Sequence, residues 1–226
     1  MKKILCIAAA GAMIAGLGSC KETTIDNVPL KTAQDSLSYA FGVYNGESMK
    51  QEKLTEINTE IMGAVMQGVM DGDTANLKMD MNAAMDYIQK YIVNKMQSEG
   101  KEWLENNAKN SGVKTTSSGL QYMENTTGNG PKPVSGDSVV VQVVGKLTDG
   151  TVFENTYDSG APITFPVDQF TPGFTEGLEL MPAGSKWTLY IPQELAYGPQ
   201  GVRNYIPPYA TVIFEVELLD VISVTK

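Results

Sequence analysis

Histidine is absent from this chain. That removes imidazole general bases, the triads built on them, and the commonest transition-metal ligand. Cysteine is nearly as scarce: the two present, Cys6 and Cys20, lie within the first twenty residues. The rest of the chain can therefore form neither an internal disulfide nor a thiolate centre. Charged residues make up only 19% and tilt to acid, with 26 Asp+Glu against 17 Lys+Arg for a net of −9. A chain of that sign is not built to follow a phosphate backbone, and no nucleic-acid partner is expected. What the chain has instead is 42% hydrophobic residues, enough apolar surface for packed cores rather than a disordered polymer.

The first apolar stretch, Ile4 to Leu17, follows the basic Lys2 and Lys3. It is too short for a comfortable membrane span and has the shape of a secretory signal. It ends in Leu17-Gly18-Ser19-Cys20, which resembles the bacterial lipobox, where cleavage before the cysteine leaves a lipidated Cys20. Residues 1–19 are thus expected to be a lipoprotein signal and 20–32 a polar tether, with the acyl chains as the membrane anchor. Removing 1–19 leaves 207 residues and a net of −11, a length suited to two ordinary domains.

From about Ala33 to Asn110 the spacing is helical. Leu37, Phe41 and Tyr44 mark one segment, and Ile61, Val65 and Val69 a second that Asp71-Gly72-Asp73 breaks. Asp80 is placed to cap a third, with Met81, Met85, Ile88, Ile92 and Met96 on one face. Carried through Trp103 to Asn110, that helix would run about 30 residues, roughly 45 Å. Gly100 lies inside it and costs about 1 kcal/mol relative to alanine, which invites a bend there. Ser111-Gly112 supplies the stop. Methionines 62, 66, 70, 79, 81, 85 and 96 crowd this module. Their helical spacing suits an intertwined dimer core, or in part a deformable surface for non-native clients.

After Gly112 the composition turns to Val, Thr, Gly and Pro in short alternating runs, the pattern of antiparallel strands. Ser138 to Leu147 reads as a strand, Thr148-Asp149-Gly150 as a turn, and Thr151 to Glu154 as the returning strand. Pro172 to Leu180 is the single helical stretch, Trp187 to Ile191 and Ala210 to Ile222 are further strands, and Pro192 to Pro208 is a long loop. The fold class is α+β: a helical module over 33–111, then over 112–226 an antiparallel sheet wrapped around one short helix. This second part gathers Phe153, Phe165, Phe170, Phe174, Tyr197, Tyr205 and Phe214 with no nucleophile among them. Such residues can be ordinary core or an aromatic pocket.

Their order shifts the balance toward a pocket, although in a small barrel wrapped on one helix core and pocket floor can be the same residues. Leu147-Thr148-Asp149-Gly150-Thr151-Val152-Phe153-Glu154, Pro172-Gly173-Phe174-Thr175-Glu176-Gly177-Leu178, Leu195-Ala196-Tyr197-Gly198, Ile206-Pro207-Pro208 and Phe214-Glu215-Val216-Glu217-Leu218-Leu219 together resemble the FKBP family of peptidyl-prolyl isomerases. Asp35-Ser36-Leu37-Ser38-Tyr39-Ala40-Phe41-Gly42 and Ser118-Gly119-Leu120-Gln121-Tyr122 resemble the dimerisation module of its macrophage-infectivity-potentiator branch.

The resemblance implies a cofactor-free, metal-free isomerase for X-Pro bonds, acting on exported, proline-containing proteins and dimerising through 33–111. It would be lipid-anchored in a bacterial envelope, at the outer membrane facing the periplasm or the cell surface. By the same resemblance Phe174 floors the site and Phe153, Phe165, Phe170 and Phe214 wall it. Tyr197 donates its hydroxyl to a ligand carbonyl, Thr171 offers a backbone N–H, and Tyr205 and Ile206 line the rim. Three positions depart from the family's usual pattern: Val143 replaces tyrosine, Glu154 replaces aspartate and Phe174 replaces tryptophan. Weaker binding of the family's macrolide inhibitors is expected from these. The competing readings are a holdase using the same pocket and the Met-rich helices, and a binding lipoprotein that keeps only the scaffold.

Overall fold

The computed structural model describes residues 25–52 and 54–223. The signal, the lipobox and Cys20 lie outside them. The chain parts into two compact units, residues 1–73 and 74–226, and each is taken by itself.

The first unit is helical. α1 (Ala33–Gln51) opens on a capping box in which Thr32 accepts from the Asp35 N–H and the Asp35 carboxylate accepts from the Thr32 N–H. Those hydrogen bonds hold the Asp35 carboxyl below its ordinary range, the side-chain bond to Thr32 contributing most. α2 (Thr59–Met70) is capped by Asn58, whose side chain accepts from the Glu60 and Ile61 N–H groups. Neither helix buries a residue. Leu37, Phe41 and Tyr44 on α1 stay 59%, 55% and 69% exposed, so the apolar stripe found in the sequence is left largely open to solvent.

The second unit begins with α3 (Met81–Asn107). Asp80 caps it, accepting from the Ala83 N–H at 2.8 Å. The helix closes three residues earlier than expected and runs unbroken through Gly100. Its C-terminal turns lie against the sheet: Trp103 meets Tyr190 with ring centroids 5.8 Å apart, the Asn107 amide donates to Gln121 Oε1 at 2.9 Å, and Gln121 Nε2 donates to the Leu104 carbonyl at 3.0 Å.

The sheet is antiparallel: β1 (Val113–Thr115), β2 (Gln121–Thr126), β3 (Ser138–Leu147), β4 (Val152–Asn155), β5 (Ile163–Pro166), β6 (Ser185–Ile191) and β7 (Val212–Ile222). Its order is β1-β2-β6-β7-β3-β4, with β5 also on β3. Strand alternation sets the two faces. Val139, Val141 and Val143 of β3, Trp187, Leu189 and Ile191 of β6, and Val212, Phe214, Val216 and Leu218 of β7 are buried. They form one core with Phe174 and Leu178 of α4 (Pro172–Leu180). Each such large side chain contributes about 1.5–3 kcal/mol when fully buried. The β3–β4 hairpin turns as expected, with Gly150 at φ +89° and its N–H donating to the Leu147 carbonyl at 3.0 Å. β1 and β5, at three and four residues, were too short to separate from loop by pattern.

Candidate active site

β7 and α4 bring Phe214 and Phe174 face to edge, with centroids 4.9 Å apart and planes at 73°. Phe153 of β4 meets Phe214 edge-on at 5.6 Å and 90°. On the other side, Phe170, just before α4, lies 4.8 Å from Phe174, and Phe165 of β5 lies 4.6 Å from Phe170. Five phenylalanines from four separated stretches of sequence thus form one continuous run of rings, in the tilted and T-shaped arrangements that aromatic quadrupoles prefer. Phe165, Phe174 and Phe214 are buried, while Phe153 is half-buried and Phe170 exposed. The last two are where the cluster reaches solvent.

The run of rings requires Gly145. This residue of β3 pairs with Glu154 on one side and Phe214 on the other. A Cβ there would stand 2.5 Å from Phe153 Cε2 and 2.9 Å from Phe214 Cε1. Two rings can cross that point of the sheet only because it has no side chain. Beside it Val143 is buried, and its N–H donates to Thr156 Oγ1 at 2.8 Å. The buried Thr156 hydroxyl in turn hydrogen-bonds the Gln142 side chain. Neither Gly145 nor Thr156 was singled out from sequence. Gly145 could have been, as the lone glycine inside an otherwise valine-rich strand.

Tyr197 sits between two short 3-10 turns, Gln193–Leu195 and Gly198–Gln200, and packs half-buried against the core. Burial pushes its phenol above the ordinary range, and the negative charge of Glu154 pushes it the same way. The hydroxyl therefore keeps its proton at neutral pH. Glu154, 43 residues away in sequence, is exposed on β4 and reaches Tyr197 through its field.

Thr171 is the residue before α4, and its carbonyl accepts from the Phe174 and Thr175 N–H groups at 3.0 Å. Its Oγ1 is buried and finds no hydrogen-bond partner among the described residues. Ile206 is buried and tied to Val202 by reciprocal backbone bonds of 2.8 Å. Tyr205, its neighbour, stands 64% exposed and outside the core cluster.

A sheet curled on one helix, carrying a ring cluster and a protonated phenol, is an architecture for binding and non-covalent catalysis. Comparison with known proteins defines the class. Residues 130–219 match the model of the FKBP-type peptidyl-prolyl cis-trans isomerase, and residues 34–123 match that of the domain amino-terminal to it. The 22 kDa FKBP-type peptidyl-prolyl cis-trans isomerase of Escherichia coli is 38% identical over 199 residues, covering 84% of this chain and 97% of the relative. The chain belongs to the FKBP-type peptidyl-prolyl cis-trans isomerases and is an isomerase of that type.

More particularly, it is similar along nearly its whole length to members that carry the amino-terminal domain. Outer membrane protein MIP of Legionella longbeachae is 37% identical over 223 residues, 93% of this chain and 95% of the relative. The crystal structure of FkpA from Escherichia coli matches with a TM-score of 0.54 and 35% identity, over 86% of this chain and 99% of that one.

Proposed function

We propose that catalysis occurs at the ring cluster, with Tyr197 as the polar anchor. The X-Pro bond crosses a barrier of about 18–20 kcal/mol by twisting its amide, and no covalent bond forms or breaks. A twisted amide has lost resonance and charge separation, so an apolar, water-excluding surface binds it better than either planar form. Phe174 and Phe214, with Phe153 and Val143 beside them, seat the prolyl ring. Phe165 and Phe170 extend the apolar wall. Tyr197 donates its hydroxyl to a carbonyl of the bound peptide, and Glu154 helps to keep that proton in place. Thr171 offers its backbone N–H to a second carbonyl, and Tyr205 and Ile206 border the site from the long loop.

The observation that carries this reading is the continuous contact of the five rings, with Tyr197 packed half-buried against the core that contains Phe165, Phe174 and Phe214. The phenol is available to donate, and the rings exclude water without supplying a nucleophile.

The substrates we infer are proline-containing proteins exported to the bacterial envelope. The signal-like segment, the lipobox and the relative named as an outer membrane protein support that placement, with Cys20 as the lipid anchor. Residues 33–111 form the dimer module in this reading. Its support is the exposed apolar stripes of α1 and α2, and of α3, where Met81, Met85 and Ile88 stay 74%, 63% and 54% exposed.

The test is the cis-to-trans exchange rate of short X-Pro peptides, with protection of an aggregating client measured in parallel. Phe214→Ala is expected to abolish acceleration while leaving client protection by the helices intact. Equal acceleration by Phe214→Ala and wild type would place catalysis elsewhere. Wild-type protection without acceleration would favour the holdase.

A further inference from the structure

At Gly100, α3 comes close to the segment that ends the long loop. A Cβ built there would fall 3.1 Å from Thr211 Oγ1 and 3.8 Å from the Tyr209 carbonyl oxygen. The helix is held at that distance by the contacts that follow it, Trp103 on Tyr190 and Asn107 on Gln121. The segment it presses on is tied directly to the site. The Tyr209 N–H donates to the Gly198 carbonyl at 2.9 Å, and the Gly201 N–H donates to the Tyr197 carbonyl at 3.2 Å. Tyr209 adopts φ +59°, a left-handed conformation uncommon for a bulky residue. Thr211 is buried, and three residues further on β7 carries Phe214 into the ring cluster.

We propose that Gly100 is a positioning residue: its missing side chain lets α3 clamp Tyr209–Thr211, and that clamp sets the turn that orients Tyr197. The inference rests on the reading of Tyr197 given above. It explains why a helix of 27 residues keeps a poor helix former at a point where it neither bends nor breaks. The residue is chosen for what lies across from it. A displacement of a few tenths of an ångström at Thr211 then reaches the turn that carries Tyr197 through the Tyr209–Gly198 backbone hydrogen bond, and small errors in the placement of a binding group are amplified in turnover.

The experiment uses the full chain with Gly100→Ala, Gly100→Val, Thr211→Ala and Tyr197→Phe, singly and combined, reading kcat/KM on X-Pro peptides and the melting temperature. Alanine is the better helix former, so a merely structural glycine would give Gly100→Ala an equal or higher melting temperature and unchanged turnover. The clamp predicts instead a loss of about three-fold in Gly100→Ala and about ten-fold or more in Gly100→Val. Thr211→Ala should restore turnover in the Gly100→Ala background by clearing the 3.1 Å contact. The Gly100 effect should also vanish in the Tyr197→Phe background, where the donor is already gone.

Unimpaired Gly100 variants beside an impaired Tyr197→Phe would overturn this inference alone. So would a Gly100 loss that persists undiminished without the Tyr197 hydroxyl, or one that Thr211→Ala fails to relieve. Unimpaired turnover by Tyr197→Phe would overturn the role of that hydroxyl, and this inference with it.

Discussion

An added methyl at Gly145 would lie inside van der Waals distance of two rings at once, Phe153 at 2.5 Å and Phe214 at 2.9 Å. Phe214 cannot retreat freely, because it is also packed on Phe174. Gly145→Ala is therefore expected to cost about 1–3 kcal/mol in denaturant unfolding, as overpacked cores do, and to lower peptide exchange as the rings separate. Thr171 presents the opposite case. Its buried hydroxyl has no hydrogen-bond partner among the described residues, so Thr171→Val removes a desolvated polar atom while keeping the shape. A gain of about 1 kcal/mol in unfolding free energy is expected, with the backbone N–H left untouched. An equal loss would mean that the hydroxyl is satisfied in solution. The phenylalanines themselves were legible in the sequence because their order carries the family resemblance. Gly145 and Thr156 act by absence and by backbone bonding, which residue order does not display.

The turn after β4 makes a pH-dependent contribution. Tyr157 donates to Glu217 Oε2 at 2.8 Å, and burial first, then that bond and the nearby carboxylates, push its phenol up to about 12. An unfolded tyrosine ionises near its ordinary value of 10.0, so between about pH 10 and 12 the unfolded chain releases a proton that the folded chain holds. The stability from this bond is fully present below about 10 and is lost as pH rises through 12. The melting temperature of wild type should thus fall more steeply from pH 9.5 to about 11.5 than that of Tyr157→Phe; parallel curves would remove Tyr157 from the account. Among the elements, α3 shows how far pattern reading extends. Its cap at Asp80 and its apolar face followed from spacing, whereas its contact with the sheet did not. Spacing along the helix does not show that Trp103 meets Tyr190 or that Asn107 meets Gln121; the sheet's register, which sets Gln121 opposite Tyr190, brings those partners together. Gly100 looked like a weak point for the same reason, since its close neighbour Thr211 lies more than a hundred residues away.

The two units of the chain stand in different relations to burial. The sheet and α4 enclose a core of their own, while α1 and α2 bury nothing. Helices of 19 and 12 residues are marginal in water without tertiary packing, and in the proposed dimer a second copy covers the exposed stripe containing Leu37, Phe41 and Tyr44. Phe41→Glu should shift the mass measured by light scattering at micromolar concentration from dimer to monomer. A wild-type monomer under those conditions would remove the dimer from the account. A catalytic unit with its own core should meanwhile accelerate exchange in short peptides whether or not the helical unit has found its partner. The most direct test of the central claim is the exchange rate of an X-Pro peptide with wild type and Tyr197→Phe at neutral pH. The account predicts acceleration by wild type and a fall of about ten-fold or more when the single hydroxyl is removed, as expected for loss of one preorganised donor. Equal rates for the two proteins would contradict it.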